Sequence, residues 1–157
     1  MGEAIRQRIE TIAKQVRRFL EPRWEEWHRH EGSPRLQAPS QGTCGRSSLF
    51  LREVLRAEGL MAEFVAGSPS EGQEGYWLGG AWHGHAWVEV EGWIVDVTAD
   101  QFGAPPVIVS PVGISRYRAG VDASEPQFLA RRQKVARELM NDWMEKREED
   151  MEHAIGG

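Results

Sequence analysis

The sequence predicts an α+β fold in which helices pack on a small antiparallel sheet. Three observations carry that expectation. Apolar residues recur at helical spacing near both ends of the chain, whereas the middle holds short runs of strand-like alternation. Two of those runs are separated by only Glu91 and Gly92, a hairpin-length connection that makes them antiparallel neighbours. The 157 residues suit one domain. A chain of this length buries about two-thirds of its unfolded surface, so it needs neither a disulfide nor a metal to hold its core.

The elements follow in order. Ile5, Ile9, Ile12, Val16 and Leu20 recur at steps of three and four, which predicts a helix over 3–20. Pro22 is expected to end or kink it, with a further helical turn over 24–30. Residues 31–42, EGSPRLQAPSQG, read as a loop. A second helix runs from Cys44 to Glu58, with Leu49, Phe50, Val54 and Leu55 apolar and Gly59 as its stop. Residues 60–66 form a strand, and 67–75, GSPSEGQEG, form a mobile loop. HAWVEV and WIVDVT make the hairpin. Pro105 and Pro106 interrupt the chain, and VIVS, 107–110, is one more strand. The last helix covers 125–148, with Leu129, Arg132, Ala136, Leu139, Met140 and Trp143 on its inner face. A frayed tail over 149–157 follows. No repeat or linker divides the chain, so a helical N-terminus (1–30), a core (42–110) and a C-terminal helix (125–148) are read as one unit.

Composition narrows the function. A net charge of −5 and a pI near 5.6 argue against nucleic acid as a partner, because phosphate binding needs clustered Lys and Arg. No run approaches the roughly 18 apolar residues of a membrane span, and the N-terminus has no apolar signal region. A cytoplasmic protein without membrane contact is expected. The single cysteine allows no internal disulfide and suits a reducing compartment.

The hairpin places chemistry. With Glu91 and Gly92 as the turn, Val90 pairs with Trp93, Val88 with Val95, Trp87 with Asp96, and His85 with Thr98. Side chains alternate faces along a strand. Ala86, Val88, Val90, Trp93, Val95 and Val97 then form a core face. His85, Trp87, Glu89, Ile94, Asp96 and Thr98 share the other, with His85 and Asp96 as diagonal neighbours. A carboxylate beside an imidazole fixes its tautomer and stabilises its charged form, and such a His serves as general base and acid. Cys44 supplies a nucleophile. It stands at a helix N-terminus, where the dipole and a nearby imidazolium favour thiolate and backbone N–H groups can stabilise an oxyanion. Gly42 and Gly45 leave room for a substrate. Trp87 on the catalytic face is a candidate cleft wall, with Trp82 at the rim. Asp100 is a rival third member, and His83 with Cys44, His85 and Asp96 would make a conceivable zinc set. No structural zinc motif supports that set, so no metal or cofactor is expected.

These residues resemble the transglutaminase-like branch of the papain-like superfamily. The matching pieces are Gly42-Thr43-Cys44, then Val54-Leu55-Arg56 with Gly59-Leu60-Met61-Ala62 and Val65, then His85-Ala86-Trp87-Val88-Glu89-Val90, then Gly92-Trp93-Ile94-Val95-Asp96-Val97-Thr98. They span about a third of the chain, in order. Val97 stands where the family usually has Pro. The resemblance implies a papain-like core with Cys44 as nucleophile, His85 as base and acid, Asp96 as the residue orienting His85, and Gln41 as a donor to the oxyanion. It implies protease, amidase, deamidase or acyltransferase chemistry on a protein, a peptide or a small amide. The alternatives are an arylamine-type acyltransferase and a binding module on the same fold.

Overall fold

The computed structural model describes residues 2–32, 38–69, 73–114, 116–120 and 124–156. Parts of the expected loops, 33–37 and 70–72, lie outside them, as does Gly157. The helices are α1 (Gly2–Glu31), α2 (Cys44–Ala57) and α3 (Pro126–Gly156). The strands are β1 (Ala62–Gly67), β2 (Gly75–Leu78), β3 (Ala81–His83), β4 (His85–Val90), β5 (Trp93–Asp96), β6 (Ile108–Pro111) and β7 (Tyr117–Arg118). A short 3-10 helix (Ala99–Phe102) follows β5. Among the described residues no helix is long and apolar enough to cross a membrane.

The α+β class is as expected, but α1 is longer than its sequence pattern suggests. Pro22 lies inside it. An interior proline removes a backbone donor and costs ~3 kcal/mol. Anchors beyond the proline offset that cost. Buried Trp24 donates its indole N–H to Ser47 Oγ at 2.8 Å, and His28 Nε2 donates to the Pro39 carbonyl at 2.8 Å. α3 likewise continues through the expected frayed tail. Its last turns are good helix formers, and His153 Nδ1 donates to the Glu149 carbonyl at 2.9 Å. α2 ends as expected. The Gly59 N–H bonds the Arg56 carbonyl and the Leu60 N–H bonds the Leu55 carbonyl, with Gly59 at φ 83°. That is the paired closure in which glycine takes the left-handed position.

The larger sheet has the order β1-β4-β5-β6, all antiparallel. Its central register matches the expectation: Val88 opposes Val95, Glu89 opposes Ile94 and Val90 opposes Trp93. Glu91 and Gly92 have φ of 51° and 83°, the double positive φ of a tight hairpin turn. The core face carries Val88, Val90, Val95 and Val97 against the helices. There Phe19 stacks on Phe50 at 5.3 Å, and Trp143 meets both edge-on. The opposite face carries Trp87 and Ile94 against Tyr76 and Tyr117.

Those two tyrosines belong to a second sheet, β3-β2-β7, which the sequence reading misses. The sequence pattern predicts no strand over 73–83, yet β2 and β3 form a hairpin there. The overlooked signal is Gly79-Gly80, both at positive φ, a glycine pair of hairpin length. The β4–β5 hairpin therefore lies between helices on one side and a small sheet on the other.

The turn gives a test of the fold. A Cβ at Gly92 meets nothing within 4 Å, so Gly92→Ala acts through backbone strain alone. A left-handed alanine costs about 1–2 kcal/mol. Urea unfolding is expected to show a lower midpoint with an unchanged slope. An unshifted midpoint would contradict this turn.

Candidate active site

The first turn of α2 starts at Cys44 without a side-chain cap. Thr43 occupies the cap position, but its hydroxyl donates instead to the Ser40 carbonyl at 2.7 Å. No acidic residue stands in that turn. The first N–H groups of a helix have no intrahelical partner, so an uncapped start offers both donors and a positive dipole end. The Ser48 hydroxyl bonds the Ala86 carbonyl at 3.1 Å and ties this turn to the start of β4. Half-buried Cys44 is thereby hydrogen-bonded to His85 and to the Ala86 backbone N–H.

His85 is the first residue of β4 and is buried. Its Nε2 lies 2.6 Å from Asp96 Oδ2. With Nε2 turned to the carboxylate, Nδ1 is the ring nitrogen left to pair with Cys44. Asp96, at the end of β5, is fully buried, and each of its oxygens is engaged. Oδ1 accepts the Thr98 backbone N–H at 2.9 Å and approaches the Thr98 hydroxyl at 3.3 Å. Oδ2 accepts from His85 and from the Tyr117 hydroxyl at 2.8 Å. The structure thus brings Cys44, His85 and Asp96 into one hydrogen-bonded chain.

The charges follow from that chain. Burial alone would push the Cys44 thiol up. The hydrogen bond and positive charge of His85, with the Ala86 N–H, outweigh it and hold the thiol below its ordinary value. Burial likewise opposes the imidazolium, but the Asp96 charge and hydrogen bond push His85 up to about 10. Burial would raise Asp96. The His85 charge and the donors from Thr98 and Tyr117 keep it below the usual carboxylate value. The arrangement favours a thiolate, an imidazolium and a carboxylate in series.

No family model, curated protein or solved structure matches this chain.

The neighbours of Cys44, His85 and Asp96 have distinct places. Asp100 is not beside His85. Both its oxygens are held by the Arg17 guanidinium, at 2.7 and 3.1 Å, and Oδ1 also meets the Ser40 hydroxyl. Trp87 shares the face of His85 but has no exposed surface. It stacks 6.0 Å behind the imidazole and packs on Tyr117, so it backs the ring instead of walling an open cleft. Gln41 lies in the turn before α2, half-buried, with its backbone N–H on the Ala38 carbonyl. Trp82 contacts Trp77 at 5.3 Å on the second sheet. Gly42 takes φ 77° in the same turn, and the space a Cβ at Gly45 would fill is occupied by the Arg132 guanidinium of α3. Among the described residues no group of three His, Cys, Asp or Glu side chains is arranged to hold a metal ion.

Two members escaped the sequence reading. Tyr117 comes from a two-residue strand of the second sheet, and nothing local in its sequence marks it. Gln101 follows Asp100 at a turn, where polar side chains commonly bond backbone. It does bond the Thr98 carbonyl, at 2.9 Å, but its Nε2 also lies 3.5 Å from His85 Nδ1. A groove of about 620 Å³ runs beside the triad, lined by Tyr76, Phe102 and Tyr117 but by neither Cys44 nor His85.

Proposed function

We propose that this chain is a transglutaminase-like thiol enzyme with a papain-like core, acting on an amide or thioester carbonyl of a protein, a peptide or a small amide. The observation that carries the reading is the buried chain of hydrogen bonds from Asp96 through His85 to Cys44 at an uncapped helix start. The motif pieces over 42–98 point the same way. Cys44 Sγ attacks the carbonyl carbon. His85 Nδ1 gives its proton to the departing amine, leaving an acyl-enzyme. His85 then accepts a proton from water or from a second amine, which resolves the thioester. Water gives hydrolysis or deamidation, and an amine gives transfer.

Alkylation by iodoacetamide tests the nucleophile without a known substrate. In the wild type, reactivity is expected to appear as the pH rises through a value below the ordinary thiol range of about 8.5. In His85→Ala the imidazolium is gone and burial remains, so the titration is expected to move upward, past that range. Cys44→Ala removes the labelled site. A wild-type thiol that reacts only on unfolding would sink the enzyme reading and favour a binding module on this fold.

A further inference from the structure

The carbonyl oxygen that gains charge during attack by Cys44 needs donors, and the side chain of Gln101 is placed to be one. Its orientation is fixed by Thr98. A backbone carbonyl only accepts, so the atom 2.9 Å from it must be the amide nitrogen. That bond uses one of the two N–H groups. The second lies on the side of His85 Nδ1, 3.5 Å away. Nδ1 is also the nitrogen left to pair with Cys44, and when it carries the proton shared with the thiolate it cannot accept another. The second N–H of Gln101 then has no acceptor among the described residues. Gln101 is half-buried, so this donor sits at the reacting pair and within reach of an arriving substrate.

Resting on the thiol-enzyme reading above, we propose that Gln101 Nε2 donates a hydrogen bond to the substrate carbonyl oxygen as that oxygen becomes an oxyanion, sharing it with the free N–H groups at the start of α2. A lone pair on Cys44 Sγ forms the C–S bond while the C=O π pair moves onto oxygen. When the C=O re-forms, the bond to the leaving group breaks, and a leaving amine takes the proton from His85 Nδ1. Gln101 neither gains nor loses a proton. It acts only on the charge that appears on oxygen, which separates its role from that of a residue holding His85 in place.

That separation makes the test. Acylation by p-nitrophenyl acetate passes through an oxyanion, and its leaving phenolate needs no proton. Alkylation by iodoacetamide needs the same thiolate but forms no oxyanion. Gln101→Leu and Gln101→Met are each compared with the wild type in both reactions across pH. Loss of one oxyanion donor typically costs about 10²–10³-fold. The expected result is an acylation rate lower by about 10²-fold, with alkylation retaining its rate within about threefold and its pH midpoint. A parallel fall in both reactions would make Gln101 a residue that merely positions the Cys44–His85 pair and would overturn the proposal. So would acylation at the wild-type rate. Failure of the underlying reading looks different: the wild type itself would then resist both reagents while folded.

Discussion

If Cys44 acts as the proposed nucleophile, replacing Asp96 with Asn is expected to reduce its acylation by about 10⁴-fold while leaving the fold in place. Loss of the carboxylate in a triad of this logic costs about that much, because the His is left in the wrong tautomer. Burial works against the charged forms of both His85 and Cys44, and the Asp96 charge is the main influence that lifts His85 to about 10. Without it, burial governs His85 and pushes it down. With no imidazolium nearby, burial governs Cys44 and pushes it up. Both shifts are expected to reverse, and the thiolate loses the imidazolium that favours it. The measurement is the iodoacetamide titration of Asp96→Asn beside the wild type, with acylation by p-nitrophenyl acetate as the rate. A midpoint that stays below the ordinary thiol range would show that Asp96 does not set the charge of the pair.

The same shifts fix the sign of the pH dependence of stability. His85 has a folded value above its unfolded one of about 6.5. Its contribution is therefore complete below that pH and is lost as the pH rises through about 10. Asp96 has a folded value below its ordinary one, so its contribution is present above the carboxylate range and is lost as the pH falls through the folded value.

How much of this was legible in the sequence depended on whether the signal was local. The β4–β5 register follows from a two-residue turn and a strict period of two, so His85 and Asp96 could be placed on one face before any coordinates. Cys44 could be set at a helix start because Gly42-Thr43 precedes an apolar stripe of period 3.6. Pro22 does not end α1, because a local rule about helix interiors was overridden by tertiary anchors at Trp24 and His28. β2, β3 and β7 have four, three and two residues, too few for any alternation to show. With them went Tyr117, whose bond to Asp96 joins residues 21 apart in sequence. Spacing from the turn favours Asp96 over Asp100, but what holds Asp100 instead was not legible, since its partner Arg17 lies 83 residues away.

That arginine is the basis of the largest expected effect on stability. Arg17 is 6% exposed and extends from α1 into the turn after β5. Its guanidinium holds both oxygens of Asp100 and also donates to the carbonyls of Val97 at 2.9 Å and Pro106 at 3.3 Å. Its Cζ lies over the Trp24 ring at 4.7 Å. The segment it clamps carries Asp96, Thr98 and Gln101. Arg17→Met keeps much of the apolar stem but leaves the Asp100 side chain, 12% exposed, without its cation. Breaking a buried pair from one side costs about 3–5 kcal/mol. At about 2–4 °C per kcal/mol for a chain of this size, thermal unfolding is expected about 6–20 °C lower. The double variant Arg17→Met/Asp100→Asn is expected to recover part of that loss, because it removes the orphaned charge as well. Arg17→Lys is expected to fall between, since an ammonium cannot span two carboxylate oxygens and two carbonyls at once. A loss below about 1 kcal/mol in Arg17→Met would mean that the pair behaves like an exposed surface bridge, and that the segment holding Asp96 is fixed by its strand pairing with β6 and not by α1.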